Sequence, residues 1–223
     1  MRLRILQSIG QLAPGRPSAM AKASSLPVVR AAGSQRWRHL SLFEYDILEI
    51  EADVDVVWMP GSSKVKMGAR DTQFRQLKIE ASGRSLRIHA ACEFEGERPS
   101  IMLWGSQLAE IRTAASCSVH LLDVKTGMLL LSASDASSLR VQGHVKEVHV
   151  EAQNSACVDC ASLICEIAAA DLAGDSVALL RAESALQAET RNASHLLTIG
   201  SPRILDVKRH DPSFSMPKFS SKE

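Results

Sequence analysis

Seven histidines and five cysteines are the residues of this chain best suited to metal or nucleophile chemistry. Cys157-Val-Asp-Cys160 has the C-x-x-C spacing of a zinc or redox pair. A zinc site needs a second pair of ligands, and the nearest histidines, His144 and His149, are not spaced as a knuckle. On a strand, residues three apart project to opposite faces, so this pair cannot close on one ion without a turn between them. Cys157, Cys160 and Cys165 crowd together while Cys92 and Cys117 stand alone, and the total is odd, which argues against a disulfide framework. These cysteines are read as small buried hydrophobes.

Two histidines sit near hydroxyls, His195 beside Ser194 and His120 with Ser118 and Asp123, but neither set lies in a G-x-S-x-G elbow. Asp123, Asp135, Asp159, Asp171 and Asp175 are the candidates for the paired carboxylates of glycoside hydrolysis. They fall before, within and after turn clusters, which suits solvated corners better than one converging site. The acids from Glu44 to Asp55 alternate along a strand instead of encircling a cation. Asn192-Ala-Ser194 has the form of a glycosylation sequon, and Arg36-Trp37-Arg38-His39 is a basic aromatic knot. There is no P-loop and no G-x-G-x-x-G. The sequence therefore yields no catalytic, cofactor-binding or metal residue and is read as non-enzymatic. A protein or glycan partner is expected and a nucleic acid is not, with a carbohydrate-active enzyme on a parallel β-helix as the alternative.

The elements that carry these residues show through a repeat. Small polar clusters recur at Ala115–Val119, Asp135–Leu139, Asn154–Val158, Ala173–Val177 and Arg191–His195, and the apolar anchors 119, 139, 158, 177 and 195 stand 18 to 20 residues apart. Between clusters the apolar residues alternate, as in Leu129, Leu131 and Ala133 or Val148, Val150 and Ala152, the period of a half-buried strand. A helix of this length would not accept a Ser/Asn/Gly/Asp cluster in its middle. A row of this length instead matches one coil of a parallel solenoid with short strands and tight corners. Aromatic residues make only 4% of the chain, which fits columns of stacked Val, Leu, Ala, Ser and Cys. Val119, Leu139, Val158 and Val177 are expected to share one such inward column.

The fold expected is all-β: a single-stranded, right-handed parallel β-helix or solenoid with coils of about 19 residues and an N-terminal β cap. Strands in the first half are read at Phe43–Ile47, Ile50–Val56, Val65–Met67, Leu77–Ile79, Leu86–Ile88 and Ile101–Trp104, with turns at Pro60-Gly61 and Ser82–Ser85. Seven basic residues and no acid precede Glu44, whereas the remainder holds 19 basic and 25 acidic residues, a balance of −6 against +1 for the whole chain. The organisation expected is a basic, disordered leader over 1–40, cap strands over 41–107, solenoid coils over 108–214 and a flexible tail over 215–223. No apolar run is long enough for a transmembrane helix, and the leader is broken by Gln7, Ser8, Gly10 and Gln11, so a Sec signal is not expected. A soluble intracellular location is favoured, with organellar import through the leader as the alternative, and a start at Met20 would remove that signal.

The succession Phe43-x-x-x-Ile47, Ile50-x-x-x-Val54-x-Val56, Pro60-Gly61, Leu77-x-Ile79, Gly83-x-x-Leu86-x-Ile88, Leu108-x-x-Ile111 and then the repeated rows resembles the bacterial head GIN domain, an auto-transporter adhesin domain of unknown function. The resemblance covers residues 41 to 214. It implies a β-solenoid binding or structural module, and it carries over no catalytic residue. Family members place glycine-rich turns at the head of each coil; only one of the five clusters here keeps a glycine, and Asn154, Asp175 and Asn192 are the residues expected to take its left-handed backbone.

Overall fold

A computed structural model describes residues 36–94 and 96–210. Strands make up 68% of the described residues and helix 3%, arranged as a β-solenoid of about five turns. In chain order the elements are β1 (Arg36–Ser41), β2 (Ile47–Glu51), β3 (Asp55–Pro60), β4 (Lys64–Ala69), α1 (Asp71–Gln76), β5 (Leu77–Ser82), β6 (Ser85–Ala90), β7 (Ser100–Gly105), β8 (Glu110–Thr113), β9 (Ser118–Ala133), β10 (Ser138–Ala152), β11 (Cys157–Leu172), β12 (Val177–Arg191), β13 (His195–Ile199) and β14 (Ile204–His210). The short strands expected within each coil are merged into β9 to β12, each of 15 or 16 residues and interrupted by register shifts.

Each corner that starts a coil is built on one left-handed residue: Ala115, Asp135, Asn154, Gly174 and Asn192, with φ between 59° and 70°. Two residues later a small side chain turns inward, in the order Cys117, Ser137, Ala156, Ser176 and Ser194. Three of these are serines whose hydroxyls satisfy the previous coil. Ser176 Oγ donates to the Ala152 carbonyl at 3.1 Å, Ser194 Oγ donates to the Leu172 carbonyl at 3.1 Å, and Ser137 Oγ accepts from Thr113 Oγ1 at 3.2 Å. A buried hydroxyl is tolerated there because a backbone or hydroxyl partner is always in reach.

The left-handed residue also sets the phase of the strand that leaves the corner. Four residues after it comes the inward anchor, so the column runs Ile101, Val56, Val119, Leu139, Val158, Ala178 and Leu196 in pairing register. Val177, expected in this column, instead pairs with Cys157 and His195 one position away. The anchors expected in the rows of Ala173 and Arg191 fall one residue early, because Gly174 and Asn192 carry the turn. Asp175 does not; the left-handed position in that coil is Gly174, whose missing Cβ would stand 2.9 Å from the Asn154 backbone.

Two walls result. The first places β1, β4, β7, β3, the first half of β9 and then successive coils to β13 side by side; β3, β7 and the coils are parallel, and β4 and β1 add antiparallel. The second runs β5, β6, β2, β8, the second half of β9 and on to β14, with only β5 antiparallel. The parallel ladder therefore does not begin at residue 108: β2 and β3 already form a coil against β8 and β9, and β6 and β7 stack outside it. Folded strand also begins before residue 41, since Arg36–Ser41 is β1. Leu48, Ile50, Trp58, Ile88, Leu103 and Leu121 fill the space between the walls and are at most 1% exposed. Burial of such side chains, at roughly 1.5–3 kcal/mol each, supplies the main driving force.

Candidate interaction surface

The residues with catalytic or ligand chemistry are spread over separate corners and faces. Cys157 is exposed and Cys160 is 1% exposed, so the C-x-x-C pair faces both sides of its strand. Burial pushes the Cys117 thiol up to about 12 and the Cys165 thiol up to about 11, which leaves both as inert packing groups at neutral pH. Asp135 ties its corner to those of the two neighbouring coils, accepting from Asn154 Nδ2 at 3.1 Å and from the Ala115 amide at 3.4 Å. Asp159 pairs with Arg140 at 3.0 Å on the first wall, Asp171 with Arg191 at 2.8 Å on the second, and Asp123 with Lys125 at 3.0 Å at the far corner. Ser194 spends its hydroxyl on backbone carbonyls, and the neighbouring His195 points away to solvent. His120 is half-buried beside Asp55, Arg140 and Asp159; burial and then the Arg140 charge hold its pKa below the ordinary value. Neither histidine stands with its proposed partners as a triad. Among the described residues no three His, Cys, Asp or Glu side chains group as a metal site.

The basic aromatic knot is the one sequence feature that the fold enlarges. Residues 1–35, with the rest of the basic leader, the transit-peptide reading and the Met20 start, lie outside the described residues, as do 211–223. Arg36–His39, however, belong to β1, paired with β4 in the register Trp37 to Gly68, His39 to Lys66 and Ser41 to Lys64. β4 in turn pairs Lys64 with Trp104 and Lys66 with Met102 on β7. Directly paired residues share a face, so Trp37, His39, Lys64, Lys66, Met102 and Trp104 form one outward surface.

Glycine seats both indoles. A Cβ on Gly68 would lie 2.9 Å from the Trp37 ring, and one on Gly61 would lie 3.2 Å from Trp104 Cδ1. The lysines lie over the rings, Lys66 Nζ 4.7 Å from the centroid of Trp37 and Lys64 Nζ 4.7 Å from that of Trp104. Neither lysine makes an ion pair among the described residues, while Arg36 is taken up by Asp71 at 3.4 Å. Arg38, on the other side of β1, lies 4.3 Å over Phe74 of α1 and anchors the strand from behind. A hollow of about 380 Å³ between His39, Leu40, Ser41, Lys64, Lys66 and Trp104 opens on this surface. Sequence reading found Trp37 and missed Lys64, Lys66 and Trp104, because only the pairing of β1, β4 and β7 brings segments some tens of residues apart onto one face.

The second wall carries charges of both signs. Arg112, Ser132, Glu151, Asp171, Glu189 and Lys208 succeed one another in register on its outer side. Arg191 bridges Asp171 at 2.8 Å and Glu189 at 3.7 Å, so most of this ladder is internally neutralised. A shallow depression of about 280 Å³ lies between His149, Glu151, Ala169, Asp171, Gln187 and Glu189. Such cross-strand pairs fix register more than they create a site.

Among the described residues no helix is long and apolar enough to cross a membrane. No curated protein matches the chain. The fold is similar to a crystal structure described as a "putative adhesin" from Bacteroides fragilis, at TM-score 0.66 and 12% identity, covering 79% of this chain and 94% of that one. A second, from Parabacteroides distasonis and described in the same words, aligns at TM-score 0.50 and 12% identity over 81% of this chain and 96% of the other. The model of the family described as "Putative auto-transporter adhesin, head GIN domain" matches residues 44–202, and the chain belongs to that family.

Proposed function

We propose that the protein is a non-catalytic binding module whose contact surface is the outward face of β1, β4 and β7. The observation that carries this reading is the pair of indoles seated on Gly68 and Gly61 with unpaired lysines over them. Aromatic and basic side chains held on a rigid sheet lose little conformational freedom on contact, the property that concentrates binding energy in such residues. Asp123, Asp135, Asp159 and Asp171, by contrast, each have a structural partner at a separate corner or wall, which supports no pair of carboxylates across one substrate position. The adhesin descriptions of the family and of the similar structures agree with a module that holds a partner. The strands outside the β2–β3 coil act in this reading as the cover of one end of the ladder and as the display for the surface.

A combined screen tests the reading. Purified protein and the K64Q/K66Q double variant are probed against immobilised glycans and proteins, and the same glycans are assayed for cleavage with Asp135→Asn and Asp159→Asn as controls. Binding that weakens in the lysine variant, with no turnover, is expected. Turnover abolished by either aspartate change would instead establish the enzyme.

A further inference from the structure

We infer that the ligand class of this surface is a linear acidic polysaccharide, a chain of sugars bearing carboxylate groups. The inference rests on reading the protein as a binding module and adds the chemistry of what is bound. Trp37 and Trp104 sit on strands two apart in the sheet and four register positions apart along it, which places them roughly 16 Å from one another by strand spacing. That separation suits an extended oligomer and exceeds a single sugar ring.

The two chemical elements of the surface then divide the work. A pyranose presents a face of C–H groups that packs on an indole lying flat against a sheet. Each lysine already lies 4.7 Å over its indole, so a sugar settling on the ring displaces an ammonium that has no carboxylate among the described residues. A uronate supplies that carboxylate beside the ring it stacks with. The ammonium exchanges a cation–π contact for a charge-assisted hydrogen bond of greater strength. A neutral sugar would strand the lysine instead.

Charge elsewhere on the wall argues against a nucleic acid. The surface offers two unpaired ammonium groups at spaced positions, and the exposed Asp55 follows two strands away on the same wall. A nucleic-acid strand carries a phosphate at every nucleotide and calls for a continuous basic track. Residues 44–223 carry a balance of −6, which opposes a polyanion held by charge alone; a carboxylated glycan is held here by stacking on Trp37 and Trp104 as well as by Lys64 and Lys66.

The test is titration of the full chain with oligogalacturonate and hyaluronan, alongside neutral dextran, a single-stranded oligonucleotide and anionic phospholipid vesicles. Tryptophan emission is followed because Trp58 is 1% exposed and the other two indoles lie on the surface. Expected are saturable binding of the carboxylated glycans with changed emission, weakening on added salt, and a loss of about tenfold or more in K64Q/K66Q. Trp104→Phe and Trp37→Phe should each remove part of the emission change while the protein still melts cooperatively. No binding of either carboxylated glycan, affinity unchanged in K64Q/K66Q, or tighter binding of the oligonucleotide or the vesicles would overturn the inference. If dextran or a screened protein binds at this face instead, the ligand class fails while the module reading stands; turnover of any glycan would bring down both.

Discussion

Gly143 lies in pairing register with Val124 at φ +147°, and a Cβ placed on it would stand 2.1 Å from the Val124 carbonyl oxygen and 2.6 Å from its amide nitrogen. The neighbouring atoms are backbone, so no rotamer change relieves the overlap, and the conformation is one that L side chains rarely adopt. Gly143→Ala should therefore cost about 3 kcal/mol or more in denaturant unfolding. Gly127→Ala, where a Cβ meets nothing within 4 Å, should stay within about 0.5 kcal/mol of the parent. Equal midpoints for the two variants would show that the coils are not stacked this closely.

Val158 lies between Leu139 and Ala178 and is 1% exposed. An aspartate there would bury a charge with apolar side chains above and below it, a penalty of several kcal/mol that is large against the stability of a typical domain. Val158→Asp should be unfolded or lose most of its thermal transition, whereas Val177→Asp, one register position off the inward column, should melt near the parent. Calorimetry on the pair checks the phase of the coil, since a slip of one residue exchanges inside for outside.

That phase marks the limit of what the sequence could yield. The rows were legible because alternation and small polar corners repeat, and family and fold followed from them. The phase of the last two rows was not: in Gly174-Asp175 two adjacent residues can form the turn and only backbone geometry selects one, and in the last row Arg191 stands where the left-handed residue opens the earlier clusters. Ala115 is harder still to foresee: an alanine at φ 62° has no propensity signal, and it is held there by coils on either side. The interaction surface was half visible. Trp37 stood out by composition, but Lys64 and Trp104 belong with it only through antiparallel pairings that local patterns do not encode.

Thiol labelling offers an independent check of the interior. Cys92 and Cys157 are exposed; Cys117, Cys160 and Cys165 are buried, and burial raises the pKa of all three. At pH 8 a disulfide reagent should modify two thiols of the native protein within minutes, with Cys157 slowed because burial and Asp159 raise its own pKa. The other three should react only on unfolding. Fast modification of more than two in the native state would contradict the packing described.

Acidification should weaken the fold through His120. Its folded-state pKa is lowered, first by burial and then by Arg140, so the unfolded chain takes up the proton more readily. The stability that neutral His120 contributes is fully present above its unfolded value, near 6.5, and is lost as pH falls through that value toward the lower folded one. Asp55, which faces it, has its carboxyl held above the ordinary carboxylate range, chiefly by burial, and acts with the opposite sign at lower pH. Between about pH 7 and 5 the difference in unfolding free energy between the parent and His120→Gln should shrink or reverse as pH falls. A pH-independent difference would remove His120 from this role.

The ends of a parallel ladder present unpaired donors and acceptors that invite further pairing. At one end the antiparallel β1 and β5 close the walls. At the other, β13 and β14 each pair with β12, and Leu197, Ile199, Ile204, Leu205 and Val207 are exposed. β14 still shields what lies beneath, because it covers Leu186 and Ala188 and ends in Lys208, Arg209 and His210, charges that oppose docking of another edge. A chain ending at residue 201 would lay bare Leu186 and Ala188 along the unpaired edge of β12 and should associate as its concentration rises. A chain beginning at Arg36 keeps every described pairing and should scatter light as the parent does. Beginning at residue 39 instead would delete Trp37 from its seat on Gly68 and Arg38 from Phe74, and this longer cut should both lower the melting temperature and abolish binding at the β1–β4–β7 face. If the chain ending at residue 201 stays monodisperse while the one beginning at Arg36 aggregates, the exposed end of the ladder is the opposite one.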